Sequence, residues 1–498
     1  MFARAVISTI FLVAAQVIHT FALRSVQDVL LYSGTRDGVE SCAILARQLP
    51  KQVFFPSDEG YMQRQTQYWS GQQAELFSAC RVMATRAEDV KPALEILSTR
   101  NQTFAVVAGG HSSVIGASSA GDESIVLDLS FLNNVVVEPD GESVWIGPGA
   151  RWGDVYALLE MKGLAVPGAR VAHVGVGGFV LGGGISWFAN LFGWACDSVD
   201  GFEVVTPGLE ILEVNALRHE DLFWALKGSL GAFGVVTRVR LPTVRCKEVL
   251  AGAIEYPDEA VEDLLDAFDA LSEEDGTGQS YLSFSWTGVT KRMSNIAYLV
   301  DMDTESTSPA FERLTKIPNI HNGLQKQTLK TSADEISAEN PLGHRRSKFT
   351  LTVNSDQPLR WIYQKFVDFI KTLGFAPDDL LRFTFQPLTL SHLQAQKNFF
   401  PLIPGSAPFY IISVEMWWID SDKDDYFEVQ MKNLAEELEN WLRARSELHD
   451  FVYPNYAAKW QDPFHGVEKK NRIALERAKR RYDPGNMWRR LVPGMWHV

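Results

Sequence analysis

Two glycine clusters hold the residues best placed to do chemistry: VAGGHSS at positions 107–113 and VGVGGFVLGGG at 174–184. Glycine lets a backbone approach a ligand closely and present its N–H groups to anionic oxygens. The same composition also serves tight structural bends, so both readings stand from the clusters alone. Neither cluster is a G-x-G-x-x-G fingerprint, because Val180 stands where the third glycine counted from Gly175 is required. The chain has no Walker P-loop, so a Rossmann nicotinamide enzyme and a nucleoside triphosphatase both lose their main support. It also lacks an H-E-x-x-H run, cysteines paired at metal spacing and a G-x-S-x-G elbow, which leaves metal chemistry and serine hydrolysis without a basis. His219, His344 and His392 read as ordinary surface or core residues.

The elements that must position these clusters can be read from periodicity. Val90, Ala93, Leu94 and Leu97 share one helical face, and Glu88 and Asp89 suit the helix N-terminus. Short apolar strands punctuated by glycine are expected at 104–107, 124–129, 135–138 and 144–146. This half reads as α+β, with no clean βαβ periodicity. After Cys246 the glycines thin out, and strands are expected at 281–286, 293–300, 349–353, 381–385 and 409–418. Helical patterns lie between them at 258–270, 358–373 and 426–442. The second half therefore predicts a sheet covered by helices on one side.

Composition sets the frame. The 498 residues carry 47 basic and 61 acidic side chains, a net charge of −14, with 46% hydrophobic and 11% aromatic residues. That is a well-cored globular protein, most simply an enzyme, and its acidity argues against a surface that tracks nucleic-acid phosphates. The tail from 468 to 490 holds nine basic and three acidic residues, which in so acidic a chain reads as a solvated helix face. Residues 1–22 have the pattern of a secretory signal: Arg4, a largely apolar run at 5–18, then Thr20-Phe21-Ala22. A buried N-terminal helix is the alternative. No other stretch reaches the roughly 18 apolar residues of a membrane span. Export makes Cys42 and Cys80 disulfide candidates and Asn101-Gln102-Thr103 a glycan site on an exposed turn, with Cys196 and Cys246 left unpaired.

Order and spacing then add what composition cannot. Gly109-Gly110-His111-Ser112 is followed by GPGARWGDVYALLEMKGLAVPGARVAHVGVGGFVLGGGISW, WACDSVDGFEVV and DLFWALKGSLGAFGVVTRVRL, and near the end by Tyr453-Pro454-Asn455-Tyr456 and YDPGNMWRRLVPGMW. This combination resembles the FAD-linked oxidases of the vanillyl-alcohol oxidase superfamily, in the fungal secreted branch of the berberine-bridge-enzyme-like group. The resemblance implies an α+β fold with a two-part FAD-binding domain, 23–72 and 73–245. It further implies a substrate domain at 246–450, an antiparallel sheet covered by helices, and a C-terminal segment at 451–498 that returns to the FAD domain. His111 matches the histidine that bonds to the flavin 8α-methyl carbon. Many relatives attach the flavin again through a cysteine four residues before Gly175, where this chain has Val171; single attachment through His111 is implied. Gly109, Gly110, Ser112, Val171, Val174, Gly175, Gly177, Gly178, Gly234, Val236 and Asn455 are expected around the cofactor. The chain departs from its relatives at Val107, where a basic residue is frequent, and at Leu230-Gly231-Ala232.

For proton transfer, Tyr456 matches the family tyrosine that faces substrate. A tyrosine starts near a pKa of about 10 and needs donors or positive charge beside it to act as a base. Glu415 is the rival: Ser413, Glu415 and Trp417 share a strand face opposite the apolar Ile412, Val414 and Met416. A solvated sheet edge would account for Glu415 equally well. Val174 occupies the position that in this family gates oxygen, a short side chain accompanying oxidases and leucine dehydrogenases. The resemblance thus implies a secreted FAD-dependent oxidoreductase whose partners are a small organic substrate and oxygen. The substrate is expected to be a secondary-metabolite intermediate. A carbohydrate oxidase and a non-catalytic, flavin-retaining binding protein are the alternatives.

Overall fold

The computed structural model describes residues 36–272, 278–304, 309–355, 357–403 and 408–498. The expected signal at 1–22 lies outside the described residues. Among the described residues the first sheet has four strands, Val53–Phe54 (β1), Cys80–Met83 (β2), Phe104–Val107 (β3) and Ile125–Asp128 (β4), in the order β1-β2-β4-β3. The helix Ala87–Thr99 connects β2 to β3 and buries Val90, Ala93, Leu94 and Leu97 against them. Its start is closed by Asp89, whose carboxylate accepts from the Thr85 N–H at 2.9 Å and from Arg86 Nε at 3.1 Å. Because β2 and β3 both run parallel to β4, this is a βαβ crossover that the sequence pattern did not reveal. The strand wedged between its two arms comes later in the chain, so no local periodicity marks it. A Cys42–Cys80 disulfide ties the helix Arg36–Gln48 to β2, while Cys196 and Cys246 are free.

A second, antiparallel sheet takes up the glycine-rich segment: Val135–Val137 (β5), Ser143–Ile146 (β6), Gly201–Val205 (β8), Ile211–Val214 (β9) and Val235–Pro242 (β10), ordered β5-β6-β10-β8-β9. A short ladder joins Leu164–Ala165 (β7) to Val244–Arg245 (β11).

The third sheet is antiparallel and larger. Its long strands are Val249–Tyr256 (β12), Gln279–Thr287 (β13), Met293–Asp301 (β14), Arg345–Val353 (β17), Leu380–Leu388 (β18) and Phe409–Trp418 (β19). The short ones are His321–Asn322 (β15), Gln325–Gln327 (β16) and Leu448–His449 (β20). Its path runs β15-β12-β14-β13-β18-β19-β17-β20, with β16 also on β12. Strand alternation divides its residues between two faces. Leu282, Phe284, Leu381, Phe383, Phe385, Ile412, Val414 and Met416 form one buried core with the helices Val261–Ser272, Leu359–Thr372 and Asp424–Arg443. Each such side chain contributes about 1.5–3 kcal/mol by leaving water. The opposite face carries Tyr281, Arg382, Gln386 and Glu415, and it roofs a cavity whose floor is the two glycine clusters.

The C-terminal stretch packs back beneath this cavity. Trp488 is buried, donates from Nε1 to the Gly231 carbonyl at 2.7 Å and sets its ring edge-on to Phe104. In the helix Lys469–Tyr482 the buried residues are Leu475, Ala478 and Tyr482, while most of its basic residues face water. No helix among the described residues is long and apolar enough to cross a membrane.

Candidate active site

The two glycine clusters meet backbone to backbone. A side chain on Gly109 would come within 2.6 Å of the Gly175 Cα, and one on Gly175 within 2.5 Å of the Gly109 Cα. Any larger residue at either position would push the loops apart. Arg151 clamps the junction, donating from Nη1 to the carbonyls of Gly109 and His173, each at 2.5 Å. Gly178 differs: a side chain there would meet nothing within 4 Å, so the space beside it is open. The backbone N–H groups of His111, Ser112 and Ser113 have no protein acceptor among the described residues. Consecutive free N–H groups beside an open glycine form a concavity suited to an anion.

His111 stands at the rim of this cradle. Its ring stacks on Trp69 at 4.3 Å, and its Nε2 lies 3.1 Å from Nδ1 of His173. His173 Nε2 in turn lies 2.8 Å from the carbonyl oxygen of Asn340. A carbonyl only accepts, so His173 carries its proton on Nε2 and accepts at Nδ1. His111 must then donate from Nε2, which leaves the lone pair on its Nδ1. Both rings are neutral at physiological pH. Burial, followed by repulsion from His173, Arg346, Arg151 and Lys348, holds His111 well below its ordinary value. Burial brings His173 down to about 4. The loop that carries His173 is moored by the helix Leu329–Ala338, whose Ser337 Oγ accepts from the Ala172 N–H at 2.7 Å.

Tyr456 faces the same cavity from the C-terminal segment. Its Oη accepts from Arg170 Nη2 at 2.9 Å and from Gln386 Nε2 at 3.2 Å, and Lys348 Nζ sits 3.7 Å from its ring centroid. Burial alone would raise this phenol, but Arg170 and Lys348, with the hydrogen bonds from Gln386 and Arg170, bring it below its ordinary value. Its neighbour Tyr453 moves the other way: burial dominates and keeps it protonated. Of the two tyrosines, only Tyr456 is shifted toward the phenolate.

Glu415 is only 6% exposed, which rules out a solvated edge. Its Oε1 accepts from Arg346 Nη1 at 3.0 Å, and that guanidinium lies between Trp69 and Trp417, 3.9 Å and 4.3 Å from their ring centroids. Burial would raise Glu415, but Lys348, Arg346 and Arg382 outweigh it and keep the carboxylate ionised. Arg346, lowered by burial to about 10, also stays charged at neutral pH.

The remaining residues singled out in the sequence line the same cavity, whose volume is about 330 Å³. Val171 and Val174 are half-buried on its wall, and Gly110, Gly177, Gly234 and Val236 border it as well. Asn455 donates to the Phe179 carbonyl at 3.0 Å and fills the space over Gly182, where a side chain would strike its Oδ1 at 2.1 Å. Sequence reasoning missed Trp69, Arg151, Arg170, His173, Arg346 and Lys348. Only Arg170 and His173 left a signal, as the polar residues flanking Val171 in a loop otherwise small and apolar.

The residues present fit an FAD: free N–H groups and an open glycine suit its pyrophosphate, and a neutral imidazole stands beside them with one unprotonated nitrogen. Comparison with known proteins agrees. A family described as the FAD binding domain matches residues 78–215. The FAD-dependent monooxygenase drtC of Aspergillus calidoustus is 31% identical over 483 residues, covering 93% of this chain and 91% of its own. The fold is shared with 6-hydroxy-D-nicotine oxidase from Arthrobacter nicotinovorans, at a TM-score of 0.73 and 19% identity over 89% of this chain and 97% of that one. It is shared too with the carbohydrate oxidase from Microdochium nivale, at 0.73 and 19% over 91% and 98%. With identity sustained along nearly the whole chain and a cavity built for the cofactor, the protein belongs to the same family of FAD-dependent oxidoreductases as drtC.

Proposed function

We propose that this enzyme oxidises a small organic substrate, a secondary-metabolite intermediate, by hydride transfer to FAD bound covalently through His111 alone, with oxygen as the final acceptor. The observation that carries the reading is Tyr456, whose Oη is held by Arg170 and Gln386 at the cavity that His111 also lines. When bound, the flavin supplies the hydride acceptor.

This chain's own residues supply the rest. The N–H groups at 111–113 and the space beside Gly178 receive the pyrophosphate. His111 offers Nδ1 as the attaching nucleophile, and Val171 has no thiol for a second bond. Tyr456 takes the proton from the substrate hydroxyl as hydride leaves the carbon, a general-base contribution of about 10²–10⁴-fold. Arg170 and Gln386 aim its oxygen, and the positive charge of Arg170 and Lys348 favours the deprotonated form. Glu415 is a counter-ion rather than the base, since Arg346 occupies Oε1 and the surrounding cations reduce its basicity. Val174, a short side chain on the cavity wall, would leave oxygen room to enter.

The chain divides accordingly into 23–72 and 73–245 for the cofactor, 246–450 for substrate, and 451–498 returning to the cofactor side. Secretion belongs to the same reading. It is supported by the signal pattern at 1–22, by the Cys42–Cys80 disulfide and by Asn101 in an exposed turn open to a glycan.

The test is turnover of purified, flavin-loaded protein with polyketide-like phenols, alcohols and sugars under isotopically labelled oxygen. Peroxide equal to product, with no label in the product, is the expected result. Label in the product would replace oxidation with oxygen insertion, the activity in the name of the Aspergillus relative. Flavin that no substrate bleaches would return the reading to a flavin-retaining binding protein.

A further inference from the structure

The roof of the cavity concentrates positive charge in a protein whose net charge is −14. Lys348 and Arg382 lie on β17 and β18, each directly opposite Glu415 on the strand β19 between them. Arg346 lies two residues before Lys348 on β17 and bonds the same carboxylate. Arg170 reaches the roof from the floor loop, its guanidinium 4.4 Å from the ring centroid of Tyr281. Three cations, Arg170, Lys348 and Arg382, thus line the cavity against two carboxylates, Glu415 and Glu339, of which the first is already paired with the buried Arg346 and the second accepts from the Tyr298 hydroxyl.

Two of these cations have unmet donors. Lys348 Nζ has no hydrogen-bond acceptor among the described residues; it sits 3.7 Å and 5.8 Å from the ring centroids of Tyr456 and Trp69, and the Glu415 carboxylate opposite feels its charge without bonding it. Arg382 spends Nη1 on Asn340 Oδ1 at 3.0 Å and Nη2 on the Glu339 carbonyl at 3.4 Å, while its Nε is buried without a partner. Arg170, Lys348 and Arg382 are half-buried, so their charge in excess of the counter-ions faces a cavity from which an anionic ligand can meet it. The free backbone N–H groups that suit the cofactor pyrophosphate lie on the floor at 111–113, so they do not account for the roof.

We infer that the substrate is an aromatic anion, a carboxylate or acidic phenol whose ring lies among Tyr281, Tyr298 and Tyr456 and whose charge is met by Lys348 and Arg382. A planar anion would give the Lys348 ammonium an acceptor and meet the Arg382 guanidinium charge from the cavity side, and the rings supply stacking area. This inference rests on the proposed function, in which one cavity holds both flavin and substrate.

The experiment titrates the oxidised, flavin-loaded protein with benzoate and salicylate, and with their neutral amides benzamide and salicylamide, following flavin absorbance. The anions are expected to bind about tenfold or more tightly than the amides, with affinity that weakens as salt is added. Lys348→Met and Arg382→Gln should each weaken the anions by about tenfold while leaving the amides and the flavin content unchanged. Amides that bind as well as the anions, anions that do not bind at all, or anion affinity indifferent to both substitutions would overturn the inference. The last two results would assign the excess charge to the flavin itself. Protein that holds no flavin would instead sink the proposed function, so the two failures are separable.

Discussion

His111 meets His173 through a single hydrogen bond, Nε2 to Nδ1 at 3.1 Å, and the carbonyl of Asn340 fixes its direction from the far side of His173. The relay removes the choice of tautomer from His111 and leaves the lone pair on its Nδ1, the atom through which the proposed attachment would form. His173→Phe keeps a ring but deletes the acceptor, so Nε2 of His111 loses its partner and the tautomer is no longer enforced. Flavin should still be found in the cavity, while the fraction remaining with acid-precipitated protein falls several-fold, by about the tenfold scale of one lost hydrogen bond. His111→Ala should release all of it. Complete release from the unaltered protein would show that there is no covalent link.

Tyr456→Phe removes one oxygen and should leave flavin content intact while slowing flavin bleaching by substrate about 10²–10⁴-fold. The pH profile gives a second handle. A base works when deprotonated, so kcat/KM rises with pH through the Tyr456 pKa, which Arg170 and Lys348 lower. Lys348→Met withdraws one of those charges and should move the rising limb to higher pH. A limb that stays in place would mean that another group titrates there, and Glu415→Gln would be the next variant to measure.

Val174 borders the cavity next to the loop that carries His173. Leucine adds one methylene where a diatomic molecule must pass, and packed interiors have little slack. Stopped-flow mixing of photoreduced protein with oxygenated buffer should therefore show fast reoxidation, slowed by Val174→Leu. Slow reoxidation in the unaltered protein would remove the oxidase assignment, and an unaffected Val174→Leu would place the gate elsewhere.

The Cys42–Cys80 bond closes a loop with a sequence separation of 38. By chain entropy it contributes about 4 kcal/mol, an upper figure because the reduced chain keeps some structure. Cys42→Ser paired with Cys80→Ser should lower the urea midpoint without changing the flavin spectrum, since both sulfurs lie outside the cavity wall. An unchanged midpoint would mean that packing of the helix Arg36–Gln48 alone secures β2.

Local pattern decided a good deal by itself. Alternation along 409–418 already separates Ile412, Val414 and Met416 from Ser413 and Glu415, because a strand turns successive side chains to opposite faces whatever it packs against. The face of Val90, Ala93, Leu94 and Leu97 was legible for the equivalent helical reason. The glycine clusters were visible too, since a backbone that must approach another backbone tolerates no side chain. Tertiary structure alone decided what surrounds the reacting groups. The partner of His111 is 62 residues away, that of Tyr456 is 286 residues away, and Glu415 is neutralised from another strand. The insertion of β4 between β2 and β3 belongs to the same class. Periodicity records only which way a side chain points relative to its own backbone. The protonation of His111, Tyr456 and Glu415 depends on charges and burial supplied by chain segments that meet only after the sheets have packed.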